Sequence, residues 1–369
     1  ALAKGPLGLL LPALGAAATL VAGGRAIGGR RRIAAASSTA RAAALLIFAA
    51  WFIPANAATG GRYLAEGLGR HVVGRALRPM EGHGGRFLVS LPYYVPVILL
   101  GFSPGLLFLP AAASATAGGR IGGPAGRALL FGWSVPAFGL FSAAATKLPH
   151  YVLPIFPALA IAVAGTLAAD RAGTLTPRDE VWLRRGAILM AAVAALQIAA
   201  LLALSIRFPA FALPGFALAA IVAGASGTAG IAHRSRRSRR AAGILTAAAG
   251  LAALVAAAIL LPALERTKPV PVLARAARRA APEWPAATYA FEEPSLDFAL
   301  DRPPVERLRT PADVARWARR PGPGLLVTTR AALRGLGAPP QLTEIASASG
   351  LNVAKGTSVE LVALVRPAR

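Results

Sequence analysis

Apolar residues fill the first two thirds of the chain in long blocks, and polar residues are confined to short intervals between them. Eight apolar segments stand out: 5–22, 42–58, 92–116, 128–146, 152–169, 186–206, 208–231 and 241–262. About 20 apolar residues in a helix span the ~30 Å of hydrocarbon in a bilayer. Helices also satisfy their own backbone hydrogen bonds in lipid. The pattern therefore predicts an α-helical, multi-span membrane domain over residues 1–262.

The pattern changes after Leu261, where short alternating runs replace the long apolar blocks. Strands are predicted at 287–291, 324–330, 341–347 and 358–365, and helices at 271–280 and 311–320. Thr310, Pro311 and Asp313 give the second of these helices a cap, a first-turn proline and a first-turn acid. Residues 263–369 are therefore predicted to form a small soluble α/β domain.

Composition and charge favour a membrane protein with basic loops. The chain is 56% hydrophobic and has a formal net charge of +25. Its basic residues lie in short clusters between apolar segments, whereas a nucleic-acid-binding protein gathers them on one soluble face. Cysteine is absent, which excludes disulfides and thiolate sites.

The basic clusters also predict an orientation in the membrane. The short basic connections 23–41, 117–127, 170–185 and 232–240 are typical of cytoplasmic loops. The loop 59–91, the sequence KLPHY at 147–151 and the C-terminal domain then lie on the extracytoplasmic side. Loop 59–91 carries five arginines against the simple charge rule, and we interpret them as groups for a negatively charged ligand.

The distribution of carboxylates bears on function. No acidic residue lies within the eight predicted segments. Ion-coupled transporters usually place ionisable groups inside their spans, so the pattern argues against that class. A non-catalytic or transport protein with an external α/β domain remains the alternative to an enzyme.

The KLPHY connection is the most unusual polar feature, because it is the whole link between two apolar segments. Lys147 and His150 are expected at headgroup depth, where partial desolvation strengthens a charge-assisted bond to a lipid phosphate. Lysines at span ends also commonly extend to the interface without any ligand. Both interpretations stay open from the sequence.

Histidines raise the question of a metal. Three of the four, His71, His83 and His150, fall on the predicted extracytoplasmic side. His71 and Glu66 are five residues apart, which is a poor pairing on one helical face, and zinc needs three or four ligands in fixed geometry. Spacing alone gives little support for a metal site.

Four stretches resemble one family. "ALAKGPLGLLLPAL" (1–14), "RHVVGRALRPMEGHGGRFLVSLPYY" (70–94), "FSAAATKLPHYVLPIFPALAI" (141–161) and "YAFEEPSLDFALDRPPVERL" (289–308) are similar to bacterial GT-C glycosyltransferases, the lipid A aminoarabinose transferase and protein mannosyltransferase-like enzymes. The resemblance keeps the order of the motifs along the chain, while 170–262 is generic.

The resemblance implies an enzyme of the bacterial inner membrane that moves a sugar from a polyprenyl-phosphate carrier to a lipid or protein acceptor. It implies no nucleic-acid partner. By resemblance, the residues that bind the carrier phosphate are Lys4, His71, Arg75, His83 and Lys147, with Glu81 and Tyr151 as further candidates. Some relatives bind zinc through a histidine of the corresponding loop, and His71 is the nearest match.

The resemblance also implies a missing part. In these enzymes the catalytic base is an acidic residue in the loop after the first span, whereas Ala1 corresponds to about the sixth span. We therefore expect a C-terminal portion that lacks the catalytic acidic loop and is inactive alone.

Overall fold

The computed structural model describes residues 7–74, 77, 90–301, 305–337, 341–353 and 356–366. They form two compact units. The first comprises Ala1–Arg207 and Pro214–Val255, and the second comprises Phe208–Leu213 and Ala256–Arg369.

Helices dominate the first unit. Its α-helices are α1 (Leu7–Gly23), α2 (Arg30–Ala58), α3 (Tyr94–Gly101), α4 (Leu109–Ala117), α5 (Gly123–Ala143), α6 (Phe156–Arg171), α7 (Pro177–Arg207), α8 (Ala212–Arg234) and α9 (Ser238–Val255). Helix α8 begins in residues that group with the second unit. A π-helix covers Leu64–Gly74, and short 3₁₀ segments include Leu91–Tyr93, Ser103–Gly105 and Pro149–Ile155.

Six helices among the described residues are long and apolar enough to cross a membrane. They are Leu7–Ala26, Arg30–Ala58, Pro149–Arg171, Pro177–Arg207, Pro209–Arg234 and Ser238–Arg266. The helical part of the chain is thus that of a multi-pass membrane protein, although the predicted count of about eight spans is not confirmed.

Two of the predicted spans have a different form in the structure. The segment 92–116 is divided into α3 and α4 by a 3₁₀ turn at Ser103–Gly105, where proline lacks the N–H that a continuous helix needs. The segment 128–146 corresponds to α5, which ends at Ala143. The prediction that 23–41 is a loop is wrong over much of its length, because α2 already begins at Arg30.

Small residues allow α1 and α5 to pack closely. A Cβ atom added at Gly132 would lie 2.6 Å from the backbone nitrogen of Thr19, and one at Gly15 would lie 2.8 Å from Cε3 of Trp133. Close backbone approach through small residues is the usual basis of helix association in membranes. Glycine is therefore required at both positions of this interface.

The second unit contains a five-stranded mixed sheet. Its strands are β1 (Ala286–Tyr289), β2 (Glu306–Leu308), β3 (Gly324–Thr329), β4 (Thr343–Asn352) and β5 (Thr357–Arg366), in the spatial order β2-β1-β3-β5-β4. Strand β1 pairs in parallel with β2 and β3, with Thr288 opposite Arg307 and Val327. Strand β5 is antiparallel to both β3 and β4.

Helices cover both faces of this sheet. The helices of the unit are α10 (Leu261–Arg266), α11 (Pro269–Ala280), α12 (Pro294–Leu300), α13 (Pro311–Ala318) and α14 (Arg330–Gly335). Helices α11 and α12 bury Leu273 and Leu296 in one core with Leu325 of β3. Helices α13 and α14 bury Trp317 and Leu333 in the other core.

The sequence predicted much of this unit. The predicted cap of α13 is present as a capping box, in which Thr310 accepts a hydrogen bond from the Asp313 N–H and Asp313 accepts one from the Thr310 N–H. Strand β2 and helices α12 and α14 were not predicted. Strand β2 has only three residues and pairs with β1 alone, so no local pattern marks it.

Candidate functional site

The KLPHY sequence forms a tight turn between two helices. Helix α5 ends at Ala143, and a 3₁₀ segment begins at Pro149 after an extended Leu148. Tyr94 Oη donates a hydrogen bond to the Leu148 carbonyl at 3.3 Å, and Trp133 Nε1 donates one to the Pro154 carbonyl at 2.7 Å. Tyr94 from α3 and Trp133 from α5 itself therefore fix the backbone of the turn and of the 3₁₀ segment that follows it.

The Lys147 side chain points into the protein. It is only 4% exposed, and its ammonium donates to the carbonyl oxygens of Phe141, at 3.3 Å, and Ser142. These carbonyls belong to the last turn of α5, where the backbone has no further intrahelical donors and a cation is favourable. A lysine that merely extends to the membrane interface would expose its ammonium, so the structure does not support that interpretation.

Aromatic and apolar side chains enclose this ammonium. Its Nζ lies 5.8 Å from the centre of the Tyr94 ring, and Tyr94 is fully buried. Tyr151 contacts Phe141 with ring centres 5.4 Å apart. Burial lowers the pKa of Lys147 below the usual value for lysine, because a low-dielectric environment disfavours the charged form.

Two hydrogen-bond donors at the turn have no acceptor among the described residues. An ammonium has three N–H donors, and Lys147 uses two of them on backbone carbonyls. The buried hydroxyl of Ser142 has no hydrogen-bond partner among the described residues. Nor does Lys147 form an ion pair with any carboxylate in the described part of the chain. The turn thus offers donors and one positive charge with no described counter-ion, which suits an oxyanion.

Most of the other predicted site residues lie beyond what the structure describes. Lys4, Arg75, Glu81 and His83 are outside the described residues. His71 lies in the π-helix Leu64–Gly74, but its side chain is also outside them. Of the predicted set, the structure describes the side chains of Lys147 and Tyr151, and both contact Phe141.

The described residues contain no group of three or more potential metal ligands. Because the side chains of His71 and His83 are not described, the zinc site implied by the family resemblance stays a prediction. The turn around Lys147 supplies an ammonium and carbonyl oxygens, which is not a donor set for zinc.

The residues that hold the turn in place do not stand out in the sequence. Tyr94, Trp133 and Ser142 fall within predicted apolar spans, although the paired tyrosines at 93–94 are a usable signal. A partly buried ion pair was not predicted either: Arg120 Nη2 lies 2.5 Å from Oδ1 of the buried Asp179, while Thr176 donates to the other oxygen. This pair links two of the basic connections.

Comparison with known proteins supports the motif-based resemblance. No family model matches the chain. A segment of 73 residues is 47% identical to the undecaprenyl phosphate-alpha-4-amino-4-deoxy-L-arabinose arabinosyl transferase of Edwardsiella ictaluri (strain 93-146), covering 20% of this chain and 13% of that protein. A segment of 108 residues is 38% identical to the transferase of the same name from Pectobacterium carotovorum subsp. carotovorum (strain PC1), covering 28% and 19%.

The fold agrees over nearly the whole chain. The crystal structure of ArnT from Cupriavidus metallidurans bound to undecaprenyl phosphate matches with a TM-score of 0.69 and 20% identity, over 98% of this chain and 66% of that one. The apo structure of the same protein matches with a TM-score of 0.67, over 98% and 65%. The chain thus spans just under two thirds of these structures, and the sequence matches cover small parts of the curated relatives. In sequence and in fold, the chain is similar to the ArnT-type transferases of the GT-C class, and the resemblance predicted from its motifs is confirmed.

Proposed function

We propose that this chain acts in a membrane glycosyltransferase that takes a sugar from a polyprenyl-phosphate carrier and transfers it to a lipid acceptor. The observation that carries the proposal is the buried Lys147 ammonium, which keeps one N–H that no described residue accepts. The Ser142 hydroxyl, in the same turn of α5 whose carbonyls bind the ammonium, also has no partner among the described residues. The fold likeness to a transferase that was crystallised with undecaprenyl phosphate supports the same choice of ligand.

The chemistry of such a transfer needs fixed positive charge at the carrier phosphate. When the sugar leaves, a phosphate diester becomes a monoester, and negative charge grows on its oxygens. A preorganised ammonium that is excluded from water stabilises that charge more than a hydrated lysine would. The two carbonyls of α5 hold the Lys147 ammonium in place before the phosphate arrives, so little reorganisation is needed at the moment of transfer.

We place the turn at the extracytoplasmic surface of the bacterial inner membrane, together with the second unit. The basic connections 117–127, 170–185 and 232–240 then face the cytoplasm. In this arrangement α5 and the pair α3 and α4 are embedded alongside the six long apolar helices, which gives the eight segments of the sequence pattern. Lys4, His71, Arg75 and His83, with Glu81, are proposed to complete the phosphate site from the same side.

The test measures binding of undecaprenyl phosphate to the purified chain in nanodiscs. Lys147→Met keeps the length of the side chain and removes its charge. We expect about 10- to 100-fold weaker binding, since a hydrogen bond to a charged group contributes about 1.5–3 kcal/mol. In an enzyme that also supplies the catalytic acid, sugar transfer from the loaded carrier should fall at least as far, because the charge on the phosphate grows during the reaction.

Tyr94→Phe is the matched control. It removes the hydrogen bond to Leu148 in the same turn but leaves the ammonium. If Lys147 serves only as a cap of α5, both variants will lose thermal stability and neither will selectively lose carrier binding. Wild-type affinity for undecaprenyl phosphate in a folded Lys147→Met variant would rule out the phosphate site.

A further inference from the structure

A crevice opens in the second unit at the carboxyl ends of its parallel strands. The chain leaves β1 towards α12, which covers one face of the sheet, and leaves neighbouring β3 towards α14, which covers the other face. When the connections that follow two adjacent strands run to opposite faces of the sheet, a crevice forms between the ends of those strands. Open α/β sheets bind their ligands in such a crevice. The cavity at this point has a volume of about 450 Å³.

The walls of the crevice are held in place by local hydrogen bonds. Ala290, directly after β1, has a left-handed backbone with φ of 57°, a conformation that alanine rarely adopts. Thr288 Oγ1 donates to the Phe291 carbonyl at 2.5 Å, and Thr328 Oγ1 donates to the Tyr289 carbonyl at 2.9 Å. Two buried threonines therefore maintain a strained turn at the mouth, and such strain is common at functional sites.

The charged groups at the crevice balance when Glu344 is counted, which lies outside the lining and pairs with Arg330. Arg330 donates to both oxygens of Glu344, at 2.6 and 2.7 Å, and to Glu360 at 2.9 Å. Arg334 also lines the cavity and forms no ion pair with any described residue. Two guanidinium groups and the Glu360 carboxylate thus line the cavity, and Thr329, Thr357 and Ser358 add hydroxyls.

This balance discriminates between ligand classes. A polyphosphate would be repelled by Glu360 and would meet an Arg330 that two carboxylates already neutralise, and a metal ion would have to displace Arg330 from Glu360. A neutral polyhydroxylated molecule gains charge-assisted hydrogen bonds from groups of both signs and brings no net charge. The cavity is also within the usual size range for a small-molecule site.

We propose that the crevice between the carboxyl ends of β1 and β3 is a saccharide-binding site, distinct from the turn around Lys147. The saccharide is either free or the headgroup of a membrane glycolipid. Because this inference uses only residues of the second unit, it does not rest on the proposed transfer reaction.

The experiment is hydrogen exchange on the full purified chain in a detergent without a sugar headgroup. The probes are maltose, lactose and chitobiose, dodecyl maltoside, and inorganic phosphate. We expect at least one saccharide to slow exchange in 290–293, 330–336 and 357–360. Equal protection by maltose and by dodecyl maltoside indicates a free saccharide, whereas much stronger protection by the maltoside indicates a glycolipid.

Three variants sharpen the result. Arg334→Gln should weaken protection about tenfold, the value of one charge-assisted hydrogen bond at a partly exposed site. Ala331→Trp fills the crevice from an exposed position and should abolish protection without changing charge. Arg319→Gln is the matched control, because Arg319 follows α13 and lies towards the other end of the strands.

Several outcomes would overturn the proposal. These are protection by inorganic phosphate without protection by any saccharide, no protection by any probe, or equal loss in Arg334→Gln and Arg319→Gln. Loss of carrier binding in Lys147→Met with intact saccharide protection would show that the two sites are separate.

Discussion

The contact between α1 and α5 can be tested by replacing glycine with alanine at two positions of α5, one inside the contact and one outside it. A Cβ atom at Gly132 would lie 2.5 Å from Thr19 Oγ1 and 2.6 Å from the Thr19 backbone nitrogen. Ordinary contact needs about 3.4 Å, so α1 must move by roughly 0.8 Å in Gly132→Ala. A gap of that size removes a quarter to a half of the dispersion energy of each nearby contact.

The expected cost follows from these distances. Overpacking a well-packed contact costs about 1–3 kcal/mol, and replacing a helical glycine by alanine returns about 0.5–1 kcal/mol. Gly132→Ala should therefore destabilise the helical unit by about 0.5–2 kcal/mol. Gly139 lies on the same helix with no atom within 4 Å of its added Cβ, so Gly139→Ala should stabilise by about 0.5–1 kcal/mol.

The chain contains no cysteine, which makes thiol labelling a clean assay. Ala137→Cys introduces a single thiol at a fully buried position of α5, and its labelling rate in detergent reports the opening of the helix. In that background Gly132→Ala should label about 2- to 30-fold faster than the parent, while Gly139→Ala should label more slowly. Equal shifts in the same direction for the two variants would refute the close packing of α1 on α5.

Three further predictions concern the second unit and are read from hydrogen exchange in β3 and β5. Arg366→Lys should destabilise this unit by about 2 kcal/mol, and unchanged exchange would contradict the role of Arg366. The buried guanidinium donates to the carbonyls of Trp317 and Gly322 and stacks on the Trp317 indole at 4.5 Å, a geometry that lysine cannot reproduce. Ala290→Gly should stabilise the unit by up to about 1 kcal/mol by relieving a left-handed alanine, and faster exchange would show that the turn is not strained. Hydrogen bonding from Arg330 holds the pKa of Glu344 below its ordinary value. The pair therefore stabilises the unit fully at pH values above the pKa of glutamate in the unfolded chain, about 4.3, and this stability is lost as the pH falls through the lower pKa of the folded state. Glu344→Gln should flatten that acid dependence, and an unaltered profile would exclude the pair as its source.

Local signals in the sequence predicted a large part of the structure. Long apolar blocks gave most of the helices, because a helix in lipid depends mainly on its own composition and length. The cap at Thr310 was predicted because a capping box involves only neighbours in sequence. The motif resemblance to the GT-C transferases likewise followed from short stretches read in order.

Other features depended on contacts between distant residues. The break in 92–116 was missed because its proline and glycines are compatible with a kinked span, and only the surrounding helices decide between a kink and a turn. Helix α2 extends back to Arg30 because arginine is a good helix former, and charge alone does not end a helix.

The sequence by itself determined that this chain is a multi-pass helical protein with a C-terminal α/β unit, since composition and periodicity specify those elements locally. It also singled out Lys147 as an unusual cation between two apolar segments. Only the tertiary structure decided that the ammonium turns inward onto the end of α5, because the choice between water and a buried carbonyl depends on where Tyr94 and Trp133 hold the turn. The crevice between β1 and β3 is equally a product of tertiary structure, since it arises from the order of the strands, which no local pattern encodes.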